Sequence, residues 1–239
     1  MQKKYKIILS ISLLINFIGI AIAAIFFVKF GGISHFTKEK EVAYSKNPYY
    51  IERTNLFDGV KLNENDTVFI GDSITQRGLW DELFPGVNVI NRGINSDTTE
   101  GVLNRMDDIV KAKPKKVFLM IGINDLYANK SVDDIISNHK KILDKVKSGS
   151  PDTKVYVQSV LPLNYEMYFA KDKIKNETIK ELNGKLKDLS SELNYTFVNL
   201  YTLFEQNGQL EKKLSYDGIH LSGAGYNVWK DEINQFIKE

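Results

Sequence analysis

Thr67-Val68-Phe69-Ile70-Gly71-Asp72-Ser73-Ile74-Thr75 is a run of β-branched and aromatic residues that stops at a glycine and delivers a serine to the mouth of a helix. Such side chains fit a pleated, buried strand, and Gly-Asp-Ser breaks it while supplying an N-capping group. Outward from this stretch, four further runs of the same kind occupy residues 88–91, 116–121, 154–159 and 196–200. Helical stretches beginning near Ile74, Thr98, Val132 and Ile174 lie between them, and a last helix runs from about Ser222 to Ile237. Pro114 stops the second helix, and residues 148–152 (Ser-Gly-Ser-Pro-Asp) turn the chain into the next strand. This alternation predicts βαβ units and an α/β fold around a five-stranded parallel sheet. In such a sheet, reactive groups collect beyond the carboxyl ends of the strands. Ser73 follows the first strand, Asn91-Arg92-Gly93 the second and Gly122-Ile123-Asn124-Asp125 the third, while Asp217 and His220 lie in the loop entering the last helix.

Those positions carry the residue types of nucleophilic acyl transfer. A serine hydroxyl needs a base to remove its proton and a group that orients the base. His220 is the expected base and acid, and Asp217, three residues earlier, is expected to hold its tautomer. The developing oxyanion needs donors, for which the backbone N–H of Ser73, the backbone N–H of Gly93 and the side-chain amide of Asn124 are the candidates. Gly93 suits that role because a missing Cβ permits close approach. Asp72 and Asp125 are expected to fix loop geometry by accepting backbone N–H bonds rather than to form a glycosidase pair.

Gly71-Asp72-Ser73, then Gly93, then Gly122-x-Asn124-Asp125, then Asp217-x-x-His220 resemble the four blocks of the SGNH (GDSL-type) esterases and lipases, over essentially residues 67–239. Each block is weak alone; the four in order are specific. The layout is most similar to the lysophospholipase and platelet-activating-factor acetylhydrolase-like group. The resemblance implies a flavodoxin-like three-layer α/β/α sandwich, hydrolysis of esters or thioesters, and no cofactor. The four blocks show no departure at the named positions.

The chain has 239 residues, 43% of them hydrophobic and 26% charged, enough for one sizeable core. A net charge of +2 without a basic stripe gives no reason to expect a nucleic acid partner. The absence of cysteine excludes disulfides, thiolate chemistry and a lipidated N-terminal cysteine. With three histidines and no His-Glu-x-x-His pair, no metal site is expected.

Residues 7–28 form an almost unbroken apolar run, which as a helix would span roughly 33 Å. Lys3, Lys4 and Lys6 precede it, so the positive-inside rule places residues 1–6 in the cytoplasm and the rest outside. A transmembrane signal-anchor is favoured over a cleaved signal peptide, because the run exceeds a 7–15-residue h-region. Residues 29–65 are expected to be a tether and lead-in, and residues 66–239 the hydrolase domain. His35 falls in the tether, and His139 is expected on a solvated helix face without a partner.

The substrate is less legible. Residues 160–169 are long, aromatic and apolar, and suit either the wall of an acyl or sugar pocket or core packing. An anchored enzyme outside the membrane meets acetylated envelope glycans and lysophospholipids. A short acyl group, acetyl foremost, on envelope carbohydrate is the favoured substrate, since nothing resembles a long lipid-binding lid. The alternatives are a lysophospholipase or thioesterase, an acyltransferase working with a partner, and a non-catalytic envelope-binding module. The oligomeric state is not legible.

Overall fold

The computed structural model describes residues 13, 16, 17, 19–21, 47–168 and 173–239. The chain divides into two compact units, Met1–Ala43 and Tyr44–Glu239. In the first, the described residues are helical, and Leu13, Phe17 and Ile20 are exposed. The expected span 7–28 falls mostly outside the described residues, as do His35 and the tether to residue 46. Among the described residues no helix is long and apolar enough to cross a membrane.

The second unit opens with α1 (Pro48–Asp58), capped by Asn47, whose side chain accepts from the N–H groups of Tyr49 and Tyr50. The buried Tyr50 hydroxyl reaches the Gly101 carbonyl at 2.8 Å and fastens this helix to the domain. The chain then runs through β1 (Thr67–Gly71), α2 (Ser73–Gln76), α3 (Trp80–Leu83), β2 (Val89–Gly93), α4 (Thr99–Asn104), α5 (Met106–Ala112) and β3 (Lys116–Met120). It continues through α6 (Ile123–Tyr127), α7 (Val132–Gly149), β4 (Lys154–Gln158), α8 (Asn176–Leu193) and β5 (Thr196–Val198). Last come α9 (Tyr201–Phe204), a hairpin of β6 (Glu205–Gln206) and β7 (Gln209–Leu210), and α10 (Gly223–Lys238).

The main sheet has five parallel strands in the order β2-β1-β3-β4-β5. That is the doubly wound flavodoxin-like order, with its switch point between β1 and β3, so the loops after these strands diverge and leave a crevice. Strand side chains alternate between two cores. Val68, Ile70, Val117, Leu119, Val155 and Val157 pack under α4, α5, α7 and α8. On the other face Phe69, Phe118 and Tyr156 stand in register on adjacent strands and stack at 4.8 and 4.5 Å. Trp80 stacks on Phe69 at 4.3 Å and meets Trp229 of α10 edge-on at 4.7 Å, so this core is an aromatic column running from sheet to helix. Each such side chain, once buried, contributes roughly 1.5–3 kcal/mol.

Two features differ from expectation, His139 and the end of β5, and the loop after β4 decides an alternative the sequence left open. His139 is fully buried: it lies four residues after Ile135 on the apolar stripe of α7, and its Nε2 meets the Ile121 carbonyl at 3.2 Å. Burial pushes its pKa down to about 4, which keeps the ring neutral. The loop after β4 is largely core, because Val160, Leu161, Leu163 and Tyr168 are buried. Two α8 side chains pin it: Asn183 bonds the N–H and carbonyl of Val160, and Asn176 those of Leu163, at 2.8–2.9 Å. Finally, β5 ends at Val198, two residues before the sequence run does.

Candidate active site

β1 carries the chain into the crevice and stops at Gly71, where a Cβ would lie 2.3 Å from the Met120 carbonyl. Asp72 caps α2 by accepting from the Ile74 N–H at 2.9 Å, which sets Ser73 on the first turn with its side chain toward the crevice. The Ser73 hydroxyl lies 2.9 Å from His220 Nε2, and His220 Nδ1 lies 2.6 Å from Asp217 Oδ2. A carboxylate can only accept, so the ring proton belongs on Nδ1 and leaves Nε2 free to accept from Ser73.

The loop holding Asp217 and His220 is fixed locally. Asp217 Oδ1 accepts from the N–H groups of Ile219 and His220 at 3.1 and 2.8 Å. Ser215 Oγ donates to the His220 carbonyl and accepts from the Gly218 N–H. Gly218 has φ +89°, and a Cβ there would meet the Tyr168 nitrogen at 2.6 Å, so the position suits only glycine. Tyr226 of α10 donates to the Ile74 carbonyl at 2.7 Å and ties the last helix to the one bearing Ser73.

Burial pulls the His220 pKa below its usual 6.5, against the hydrogen bond and charge of Asp217, while Arg77 adds a further downward pull. Burial raises Asp217, but the bonds from His220 and from two backbone N–H groups outweigh it and hold the carboxyl below its ordinary range. Behind Ser73 lies a set of buried carboxyl groups. Burial pushes Asp72 up to about 7, opposed by the Ile74 N–H and assisted by Asp97 and Asp125. Asp97 is pushed up to about 6 by burial despite its ion pair with Arg105 at 2.9 Å. Asp125 accepts from the Thr99 N–H and hydroxyl at 2.9 and 2.6 Å. The expectation that Asp72 and Asp125 serve the loops matches this geometry.

The candidate oxyanion donors fare differently. Asn124 stands at the start of α6 with Nδ2 donating to the Asp97 carbonyl at 2.9 Å, which leaves one amide proton unspent. The Ser73 N–H opens α2 and has no intrahelical acceptor. Gly93 does not fit the expected role, since its N–H donates to Asn91 Oδ1 at 2.9 Å. Its missing Cβ accommodates α2, whose Gln76 nitrogen would lie 2.3 Å from it, rather than a substrate oxygen. Asn91, which the sequence singled out only as a polar residue after a strand, clamps the end of α2 by donating to the carbonyls of Thr75, Gln76 and Gly78. Sequence reasoning also passed over Ser96, which holds φ +62° in the turn closed by the Asp97 N–H and Ile94 carbonyl. At the rim, the exposed Tyr216 ring lies parallel to the His220 ring at 5.9 Å and accepts a hydrogen bond from Arg77.

Among the described residues no cluster of His, Asp or Glu could hold a metal ion. The profile of the GDSL-like Lipase/Acylhydrolase family matches residues 69–228, from the first strand to the last helix. Human platelet-activating factor acetylhydrolase IB subunit alpha2 is 25% identical over 191 residues, covering 75% of this chain and 79% of that protein. A solved structure described as a platelet activating factor from Streptococcus pneumonia superposes with a TM-score of 0.72 at 30% identity, over 79% of this chain and 91% of that one. A GDSL-like lipase from Bacteroides thetaiotaomicron superposes with a TM-score of 0.67 at 25% identity, over 79% of this chain and 97% of that one. With motif order, fold and profile in agreement, the chain belongs to the GDSL-like lipase/acylhydrolase family and is an ester-hydrolysing enzyme.

Proposed function

We propose that this enzyme is a serine esterase, anchored outside the membrane by its N-terminal segment, that removes short acyl groups, acetyl foremost, from envelope carbohydrate. The observation that carries the mechanism is the hydrogen-bonded series Ser73–His220–Asp217, at 2.9 and 2.6 Å. His220 takes the Ser73 proton as Oγ attacks the ester carbonyl, then returns it to the leaving alcohol. Water repeats the cycle on the acyl-enzyme, with His220 again as base. Asp217 holds the Nδ1–H tautomer and stabilises the imidazolium. The oxyanion is held by the Ser73 N–H and the unspent Asn124 amide proton. In place of Gly93, the third donor is the Ser96 N–H, which takes no part in the Ile94–Asp97 turn bond.

The short-acyl preference is supported by the loop after β4, where Val160, Leu161, Leu163 and Tyr168 are spent in the core and unavailable to an acyl chain. The name acetylhydrolase, carried by a relative, points the same way. The anchor is supported by Leu13, Phe17 and Ile20, spaced to share one helix face and all exposed, which calls for an apolar cover. Hydrolysis of p-nitrophenyl acetate, butyrate and octanoate tests the proposal, with Ser73→Ala beside the unaltered chain. Activity should fall with acyl length and drop by roughly 10³-fold or more in the variant. Faster cleavage of octanoate would transfer the assignment to lipid acyl esters, and activity retained by Ser73→Ala would remove the mechanism.

A further inference from the structure

The lead-in helix α1 reaches the catalytic end of the domain through one side chain. Gln76, the last residue of α2, spends its side-chain amide in two directions. Its Oε1 accepts from the Asn95 N–H at 2.6 Å, and its Nε2 donates to the Tyr49 hydroxyl of α1 at 2.5 Å. The next residue of α1, Tyr50, is itself fastened to the Gly101 carbonyl, so Tyr49 sits on an anchored helix. Two hydrogen bonds through Gln76 thus join the lead-in to the turn of residues 94–97.

That turn is held at both ends. The Ile94 N–H donates to the Gly71 carbonyl at 3.0 Å, the Asp97 N–H closes the turn on the Ile94 carbonyl at 3.1 Å, and the Asp97 carbonyl accepts from Asn124 Nδ2 at 2.9 Å. Of the N–H groups in the turn, only that of Ser96 has no acceptor among the described residues. Ser96 is the third residue of the turn and has φ +62°. Turns with a positive φ at this position differ from the commoner kind, with φ of about −90°, by a reversal of the central peptide. Here the central peptide is the Asn95 carbonyl with the Ser96 N–H, so the form of the turn sets where that N–H points. Serine lacks the freedom of glycine at positive φ, and the form observed therefore needs support from outside the turn. Gln76 supplies it at the residue just ahead of the central peptide.

Resting on the reading of the Ser96 N–H as an oxyanion donor, we propose that Gln76 is a positioning residue for hydrolysis. It holds the 94–97 turn in the form that aims this N–H at the oxyanion, and Tyr49 of the lead-in holds Gln76. The side chain of Gln76 bonds none of Ser73, His220 and Asp217, so its effect passes through the turn. The lead-in is then part of the support of the active site and not only a spacer.

The test is steady-state hydrolysis of p-nitrophenyl acetate and butyrate by the full-length chain carrying Gln76→Met, Tyr49→Phe or both. Gln76→Met keeps the length of the side chain without its polar atoms. Its kcat should fall about tenfold or more, equally for both esters, with KM within about twofold, because acylation and deacylation both pass through an oxyanion. Tyr49→Phe removes one hydroxyl, and kcat should fall about two- to fivefold. The double variant should be no slower than Gln76→Met, because Tyr49 acts through Gln76. Full kcat in Gln76→Met overturns the proposal, as do losses that multiply in the double variant. Tyr49 is exposed, so Tyr49→Phe decides the matter even if Gln76→Met fails to fold, and an unaltered kcat in it overturns the proposal. Activity retained by Ser73→Ala would remove the hydrolytic mechanism itself, whereas an inactive Ser73→Ala beside a fully active Gln76→Met removes only the role given to Gln76.

Discussion

His220 works between opposed pulls: burial and the Arg77 charge favour the neutral ring, and Asp217 favours the charged one. Only the neutral ring accepts the Ser73 proton, so kcat/KM should rise with pH along an acid limb centred below 6.5 and be flat at neutrality. Replacing Arg77 by Met removes a charge that disfavours imidazolium. The limb should then move upward by on the order of a few tenths of a pH unit, and an unmoved limb in a pH–rate profile would refute the assignment. His139 offers a second titration of opposite use. Its pKa is about 4 in the fold against 6.5 as a free side chain, so between these values the unfolded chain binds a proton that the folded chain does not. Its contribution is complete above pH 6.5 and is lost as pH falls toward 4, by about 3 kcal/mol. Urea unfolding at pH 7 and 4.5 should show a smaller acid loss in His139→Gln. At this scale Gly71-Asp72-Ser73 and Gly122-x-Asn124-Asp125 were legible because each follows a strand, and Asp217-x-x-His220 because its two groups lie three residues apart in the loop entering α10, whereas Gly93 marked the right strand end but not the donor. His139 was misjudged because flanking Lys and Asp residues masked its place on the stripe of Ile135, Ile142 and Val146.

Between elements, the closest fit is that of β2 against α2. A Cβ at Gly93 would fall 2.3 Å from the Gln76 nitrogen and 2.9 Å from the Asp72 carbonyl oxygen, both backbone atoms that cannot swing aside. Gly93→Ala must therefore push α2 and move Ser73. A stability loss of roughly 1–3 kcal/mol and a fall in kcat of about tenfold or more are expected, read by thermal unfolding and steady-state kinetics. A variant with full kcat would show that α2 tolerates displacement. Strand and long-helix positions were readable from period and β-branching. The hairpin of β6 and β7 was not foreseen, although Asn207-Gly208 at its tip, with φ of 53° and 80°, is the pairing that favours such turns. Strands of two residues are too short to display alternation. The close approach at Gly93 is set by a partner element, which no local pattern reveals.

Across the molecule, the apolar N-terminal segment and the hydrolase domain form separate compact units. On fractionation of expressing cells, the full chain should sediment with membranes and be released by detergent but not by salt. A chain beginning at Asn47 should appear in the soluble fraction with its esterase activity retained; sedimentation of this shorter chain would place the attachment in the domain. Within the domain, Asp217 and His220 lie three residues apart on a loop that pins itself, whereas Ser73 is separated from His220 by 147 residues. The acid–base half of the chemistry is thus short-range, and a single distance joins it to the nucleophile. Recovery of hydrolysis during refolding consequently times the arrival of the chain's last segment at its first strand, and the enzyme carries in its own turnover a clock for the closing of its fold.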